Sequence, residues 1–160
     1  MSAEKIDRKI SVIFATDVVD YSLHMEKDES GTVTSLRTYE KILKEAFKKH
    51  GGRLFNTGGD SFMAEFSSAV KAVECAIDFQ NIVKEKNIKP ALSFRIGINA
   101  GDVILEKKNL LGDGVNVAAR LEQLSQPNGI TISKSIFDYI EGKLDSVSYT
   151  HLTLPTNVAV

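Results

Sequence analysis

Residues 55–62 read FNTGGDSF and lie between two short apolar runs, Leu54-Phe55 and Phe62-Met63-Ala64-Glu65-Phe66. That pattern predicts a tight hairpin with the Asp60 carboxylate held at its tip. Gly58-Gly59 permits left-handed backbone angles and leaves room for another group to approach closely. Upstream, Leu36, Tyr39, Ile42, Leu43, Ala46 and Phe47 recur at helical spacing, which predicts a helix from about Glu26 to His50, ended by Gly51-Gly52. Downstream, Ser67 or Ser68 can cap a second helix with Val70, Val73, Ala76, Ile77 and Val83 along one stripe. A hairpin between two amphipathic helices narrows the possible folds sharply.

Working outward, Lys9 to Ala15 (KISVIFA) is β-branched and apolar and suits a buried strand. After Pro90, Leu92, Phe94, Ile96 and Ile98 alternate with polar residues as a second long strand. The order β-α-β-β-α-β defines an α+β, ferredoxin-like core: an antiparallel sheet with two helices on one face. A C-terminal extension follows, comprising a hairpin (Asp102 to Glu106), a helix (Gly114 to Leu124), a strand (Gly129 to Ser133) and a short helix (Lys134 to Ile140).

The chain has 160 residues, enough for one domain that buries about 70% of its unfolded surface. Its 20 basic and 21 acidic residues are dispersed, which argues against a nucleic-acid or membrane-surface partner. The single cysteine, Cys75, lies in a helical pattern; it excludes an internal disulfide and reads as a buried structural thiol. With no signal peptide and no run of about 18 apolar residues, the expectation is a soluble, cytoplasmic domain. That domain should span residues 1–143. Residues 144–160 contain no lysine or arginine and show neither clear amphipathic period nor turn logic, so they read as an atypical tail of doubtful structure.

Three stretches could carry chemistry. In Phe14-Ala15-Thr16-Asp17-Val18-Val19-Asp20-Tyr21-Ser22 a strand ends in a carboxylate that could reach a hard cation, and the following N–H groups could hold phosphate oxygens. Read alone, Asp17 or Asp20 would more simply cap the next helix. The second stretch is the hairpin: the βαββαβ order sets the first strand beside the third, so Asp17 and Asp60 should project near each other. Two close carboxylates repel unless a cation neutralises them, which favours Mg²⁺ or Mn²⁺ completed by substrate phosphates. The third is Gly112-Asp113-Gly114-Val115-Asn116-Val117-Ala118-Ala119-Arg120-Leu121-Glu122, where Asn116 and Arg120 share a helical face. By itself such a pair is ordinarily a solvated surface.

Taken together, FATDVVDYS, HGGRLFNTGGDSFMAEF, FRIGINAGDVI and LLGDGVNVAARLE resemble the catalytic domain of class III adenylyl and guanylyl cyclases, most closely the bacterial soluble type, from about Lys9 to Lys143. The resemblance implies that Asp17 and Asp60 are metal ligands for two Mg²⁺ or Mn²⁺ ions. The backbone of Val18 would also touch metal, and Val18, Val19, Asp20, Tyr21 and Ser22 would line the triphosphate. Asn116 matches the asparagine that orients the ribose, and Arg120 the arginine that stabilises the transition state. The implied reaction is attack of the ribose 3′-oxygen on the α-phosphorus of ATP, giving 3′,5′-cyclic AMP and pyrophosphate in signal transduction. The family builds its site between two catalytic domains, which implies a homodimer with shared active sites.

Three departures qualify this. Where such adenylyl cyclases often carry a lysine, four residues before the second aspartate, this chain has Asn56, and the partner position is Asn109. Each amide offers both donor and acceptor, so the pair can read adenine with less discrimination by charge; ATP is favoured over GTP. Asp20 stands where many relatives have glycine and would repel phosphate unless it caps the turn or points away. The lysine that the family's C-terminal hairpin gives to the triphosphate has no counterpart after Lys143, as a truncated or frameshifted end, or a genuine divergence, would explain. A charge-assisted phosphate contact is worth about 1.5–3 kcal/mol, so weakened activity is expected. A cyclase-like domain that binds nucleotide without turnover is the alternative. A GGDEF-type diguanylate cyclase is disfavoured, because Ser61 replaces that motif's metal-serving carboxylate and such enzymes lack a VNVAAR helix.

Overall fold

The computed structural model describes residues 6–155. Its core runs β1 (Asp7–Val18), α1 (Tyr21–Lys27), α2 (Glu29–Lys49), β2 (Arg53–Gly58), β3 (Ser61–Phe66), α3 (Ala69–Glu85) and β4 (Phe94–Glu106). The strands lie in the order β2-β3-β1-β4, the antiparallel ferredoxin-like sheet expected from the element order. The extension adds β5 (Asn109–Leu111), α4 (Asp113–Leu124), β6 (Ile130–Ile132) and α5 (Lys134–Ile140). β5 folds back on β4, and β6 joins β4 in parallel.

β1 is apolar on both faces because both are covered. Val12, Phe14 and Val18 pack with Leu43 and Phe47 of α2 and Phe79 of α3, where Phe14 meets Phe47 edge-on at 5.1 Å. Such aromatic contacts stabilise by about 0.5–1.5 kcal/mol beyond their area. Ile13 and Ala15 point the other way, against Val115 and Ala118 of α4. Cys75 is fully buried, and burial pushes its thiol up to about 12, as a structural cysteine requires.

Three segments differ from the sequence reading. The single helix expected from Glu26 is two helices, broken at Asp28, whose extended backbone lets its carboxylate accept from the Gly31 amide at 3.0 Å and cap α2. A side chain that can cap competes with helix continuation, and here the cap prevails. The hairpin expected at Asp102–Glu106 is instead the second half of β4; the turn comes later, at Lys107, whose φ is 56°. The ladder carries β4 past Gly101 because β1 pairs with it as far as Asp7–Leu105. The segment after Lys143, for which the sequence assigns no element, contains α6 (Ser146–Tyr149) and β7 (Leu152–Thr153), with β7 parallel to β6 and the Tyr149 hydroxyl donating to the Ile140 carbonyl at 2.6 Å.

α4 packs backbone to backbone on β4 at Gly97. A Cβ there would stand 2.3 Å from the Glu122 amide nitrogen and 2.5 Å from the Ala118 carbonyl oxygen, both backbone atoms that cannot step aside. Gly97→Ala should therefore lift the helix and destabilise the fold by about 1–3 kcal/mol, the usual cost of overpacking. Urea unfolding of the two proteins measures this; an unchanged midpoint would show that α4 does not depend on the contact.

Candidate active site

Asp17 sits near the end of β1, two residues beyond Ala15 and therefore on the α4 face of the sheet. Its cross-strand partner in β4 is Arg95. Arg95 Nε donates to Asp17 Oδ1 at 3.0 Å and Nη2 to Oδ2 at 2.7 Å, a bidentate pair. The end of α4 closes over it. Gln123 Nε2 donates to Asp17 Oδ2 at 3.3 Å, its Oε1 accepts from Arg95 Nη2 at 3.2 Å, and its main-chain carbonyl accepts from Nη1 at 3.4 Å. Glu122 is buried beside them with a carboxylate oxygen 3.6 Å from Arg95 Nη2, and the Gln123 amide also donates to it. Burial first, and the neighbouring Asp17 charge second, push the Glu122 carboxyl up to about 8, against the opposing pull of Arg95.

Asp60 approaches from the hairpin. Gly59 turns through φ +65°, a left-handed angle at which a side chain would be strained, and so presents Asp60 back toward the end of β1. There Asp60 Oδ2 accepts from the Val18 amide at 3.3 Å. Burial raises the Asp60 pKa and the charge on Asp17 adds to it, while the Asp60 and Val18 amides and Arg95 hold the rise back. The structure thus brings the two aspartates together as the strand order requires. Both are hard oxygen donors, and their mutual repulsion is what a divalent cation relieves, so the pair fits Mg²⁺ or Mn²⁺. Among the described residues no third carboxylate, histidine or cysteine completes a metal cluster. Such a shortfall suits ions that take substrate phosphates as remaining ligands.

The segment after Asp17 is narrower than expected. The Val18 amide is committed to Asp60 and the Val19 amide to the Ser93 carbonyl at 2.8 Å, so neither is free for a phosphate. That leaves Asp20, Tyr21 and Ser22 at the start of α1. Asp20 adopts left-handed angles (φ 54°, ψ 40°) and its side chain makes no capping bond, so its carboxylate is exposed without the cap that would have excused it. This backbone suits the glycine of the resembling family, which aspartate replaces at modest cost.

Asn116 and Arg120 are both exposed, one turn apart on α4. Arg120, with Ala119, Gln123 and Leu124, lines an open depression of about 400 Å³. Among the described residues neither Asn116 nor Arg120 bonds to Asp17 or Asp60. Asn56 pairs with Met63, one row away from Asp17 on the same face, whereas Asn109 spends its side-chain oxygen on the Leu110 amide at 3.0 Å. Arg53 ties β2 to the β4–β5 turn through the Lys108 carbonyl at 2.8 Å, which keeps the two asparagines' strands near each other. Clefts of about 500 and 540 Å³ lie elsewhere, one beside Lys9, Arg53 and Glu65 and one between α2 and α3 at His50 and Asp78. The residues missed from sequence are Arg95, Glu122 and Gln123. Arg95 had a signal: it is the one charge in FRIGI, on a strand covered from both sides.

The adenylate and guanylate cyclase catalytic-domain family matches residues 1–154, and the chain belongs to that family. It is 42% identical over 150 residues to a Rhizobium meliloti protein named "Putative adenylate cyclase 3", covering 91% of this chain and 26% of that protein. An adenylate cyclase of Streptomyces coelicolor is 28% identical over 132 residues, 81% of this chain and 33% of the relative. The chain thus spans only about a quarter to a third of these relatives. Among solved structures, an adenylate/guanylate cyclase/hydrolase from Silicibacter pomeroyi superposes with a TM-score of 0.79 at 32% identity, covering 88% of this chain and 85% of that one. The adenylyl cyclase CyaB from P. aeruginosa shares the fold, with a TM-score of 0.78 at 23% identity over 89% of this chain and 85% of that one. Among the described residues no helix is long and apolar enough to cross a membrane.

The buried Glu122 has a consequence for stability. Its folded-state pKa of about 8 exceeds the ordinary 4.5, so between these values the native state holds a proton that the unfolded chain releases. Stability should therefore fall as pH rises through that window. Glu122→Gln cannot titrate and should lose less, so its melting temperature should gain on the wild type between about pH 5 and about pH 9. Thermal melts across that range check the sign; a constant difference between the two proteins would contradict it.

Proposed function

We propose that this domain is a nucleotidyl cyclase that converts ATP to 3′,5′-cyclic AMP and pyrophosphate. The observation that carries the reading is the pairing of Asp17 with Asp60 on a domain of the cyclase family. The two aspartates would hold Mg²⁺ or Mn²⁺, two ions per site. When bound, the metal supplies the positive charge that acidifies the ribose 3′-hydroxyl and neutralises the departing pyrophosphate. The chain's own residues do the rest. Asn116 orients the ribose so that the 3′-oxygen stands in line with the α-phosphorus. Arg120 donates to the α-phosphate oxygens as charge accumulates there. Asn56 and Asn109 face the base, and the start of α1 at Asp20, Tyr21 and Ser22 borders the triphosphate, with Val18 and Val19 supporting it from the strand end.

Asn116 and Arg120 are exposed on the chain that carries them, and among the described residues neither side chain has a hydrogen-bond or ion-pair partner. This supports a homodimer in which one copy supplies the aspartates and the other supplies Asn116 and Arg120. The substrate reading favours ATP over GTP, because neither asparagine brings the charge that guanine readers use. The product then serves as an intracellular signal.

The test is direct. Purified protein incubated with ATP or GTP and Mn²⁺ should yield a cyclic monophosphate and pyrophosphate, and Asp60→Ala should lower the rate by at least about a hundredfold. Nucleotide binding without product at high protein concentration would replace the enzyme with a nucleotide-binding domain. Mixing Asp17→Ala with Arg120→Ala should restore activity. Half of randomly paired dimers are mixed and each has one complete site of two, so recovery should approach about a quarter of the wild-type rate. No recovery, with mixed dimers demonstrated, would defeat the shared site.

A further inference from the structure

Asp17 is not an open ligand. Both of its oxygens are held by the Arg95 fork, at 3.0 and 2.7 Å, and Oδ2 also by Gln123. A cation that takes Asp17 must displace a guanidinium that is itself only about a quarter exposed and cannot simply swing into water. A half-buried arginine left without an anion is costly, so displacement requires a second acceptor within reach. The structure supplies one. Glu122 lies 3.6 Å from Arg95 Nη2, the same nitrogen that donates to Asp17, and is buried in the helix that Gly97 draws against β4. Gln123 spans the two carboxylates, donating to both and accepting from Arg95.

We propose that Arg95 is a latch on the metal site: it occupies Asp17 when no cation is present and transfers to Glu122 when a cation takes Asp17. Arg95 is thus a positioning residue, acting through Asp17. The inference rests on Asp17 being a metal ligand. Its physical content is an exchange of partners that leaves the guanidinium bonded in both states. Without metal, Arg95 offsets the charge of Asp17 beside Asp60, so the site need not collapse through repulsion between the two aspartates. The exchange also sets a cation's apparent affinity below what two bare aspartates would provide, because part of the binding free energy goes into moving the arginine.

The experiment measures Mn²⁺ binding to the nucleotide-free protein by the loss of the free-ion EPR signal, with melting curves to establish that each variant is folded. Arg95→Met removes the latch and should tighten Mn²⁺ binding about tenfold, the scale of one charge-assisted contact that no longer has to be broken. Arg95→Lys keeps the charge without the fork and should tighten it less; it serves if the methionine variant does not fold. Glu122→Gln replaces the second carboxyl with a neutral amide, a weaker acceptor for the guanidinium, and should weaken binding. In the Arg95→Met background the same change should have little effect, because no arginine needs the acceptor. Equal weakening by Glu122→Gln in both backgrounds would show that Glu122 acts only through its charge, and would overturn the latch. Unchanged or weaker binding in both Arg95 variants would overturn it as well, leaving the metal reading intact. If no Mn²⁺ binding that Asp17→Asn abolishes is found in wild type or Arg95→Met, the metal reading falls and takes the latch with it.

Discussion

The antiparallel pairing of β1 with β4, unbroken from Asp7–Leu105 to Val18–Phe94, is the constraint from which the site hangs. It is a central ladder with helices on both faces, so its register cannot slip by one residue without exchanging the α2–α3 core for the α4 core. That register fixes three things together. It sets Asp17 opposite Arg95, Ala15 opposite Gly97, and Ile13 opposite Asn99, whose amide donates to the Gly114 carbonyl at 3.0 Å. The carboxylate of the proposed metal site, the seat of α4 and the start of α4 are thus alternate rungs of one ladder.

The ladder also explains why charge can be concentrated where the sheet is otherwise apolar. Asp17, Arg95 and Glu122 are all largely withdrawn from water. Such a cluster gives little net stability, because desolvation offsets attraction, and removing one member is costly. Its value is geometric. The cross-strand pair fixes the orientation of the Asp17 carboxylate before any ligand arrives, and the Val18 amide does the same for Asp60.

Much of this was legible in the residues. The helical stripes of α2 and α3, the Gly-Gly turn and the β-branched run of β1 are local signals with short periods, and they recover the βαββαβ order and the strand neighbours. From the neighbours follows the meeting of Asp17 with Asp60. The errors were equally local: at Asp28 a capping carboxylate outweighed helix continuation, and pairing with a long partner strand carried β4 through Asp102–Glu106, the stretch read as a hairpin. After Lys143, elements formed where no period announced them, since a single helical turn and a two-residue bridge are too short to leave one.

By itself the sequence determined the family, the order of the elements, and which carboxylates and which helical face could carry chemistry, because each of these depends on residue type and spacing within a short window. Only the tertiary structure decided that Asp17 is held by Arg95, that Glu122 is buried beside them, and that the Val18 and Val19 amides are already committed. The bonds from Asp17 to Arg95 and to Gln123 join residues separated by 78 and 106 positions in the chain, and they depend on a strand register and on a helix seated against Gly97. No spacing rule reaches across such distances. The partners of a buried charge are chosen by packing, and packing exists only once the whole sheet has formed.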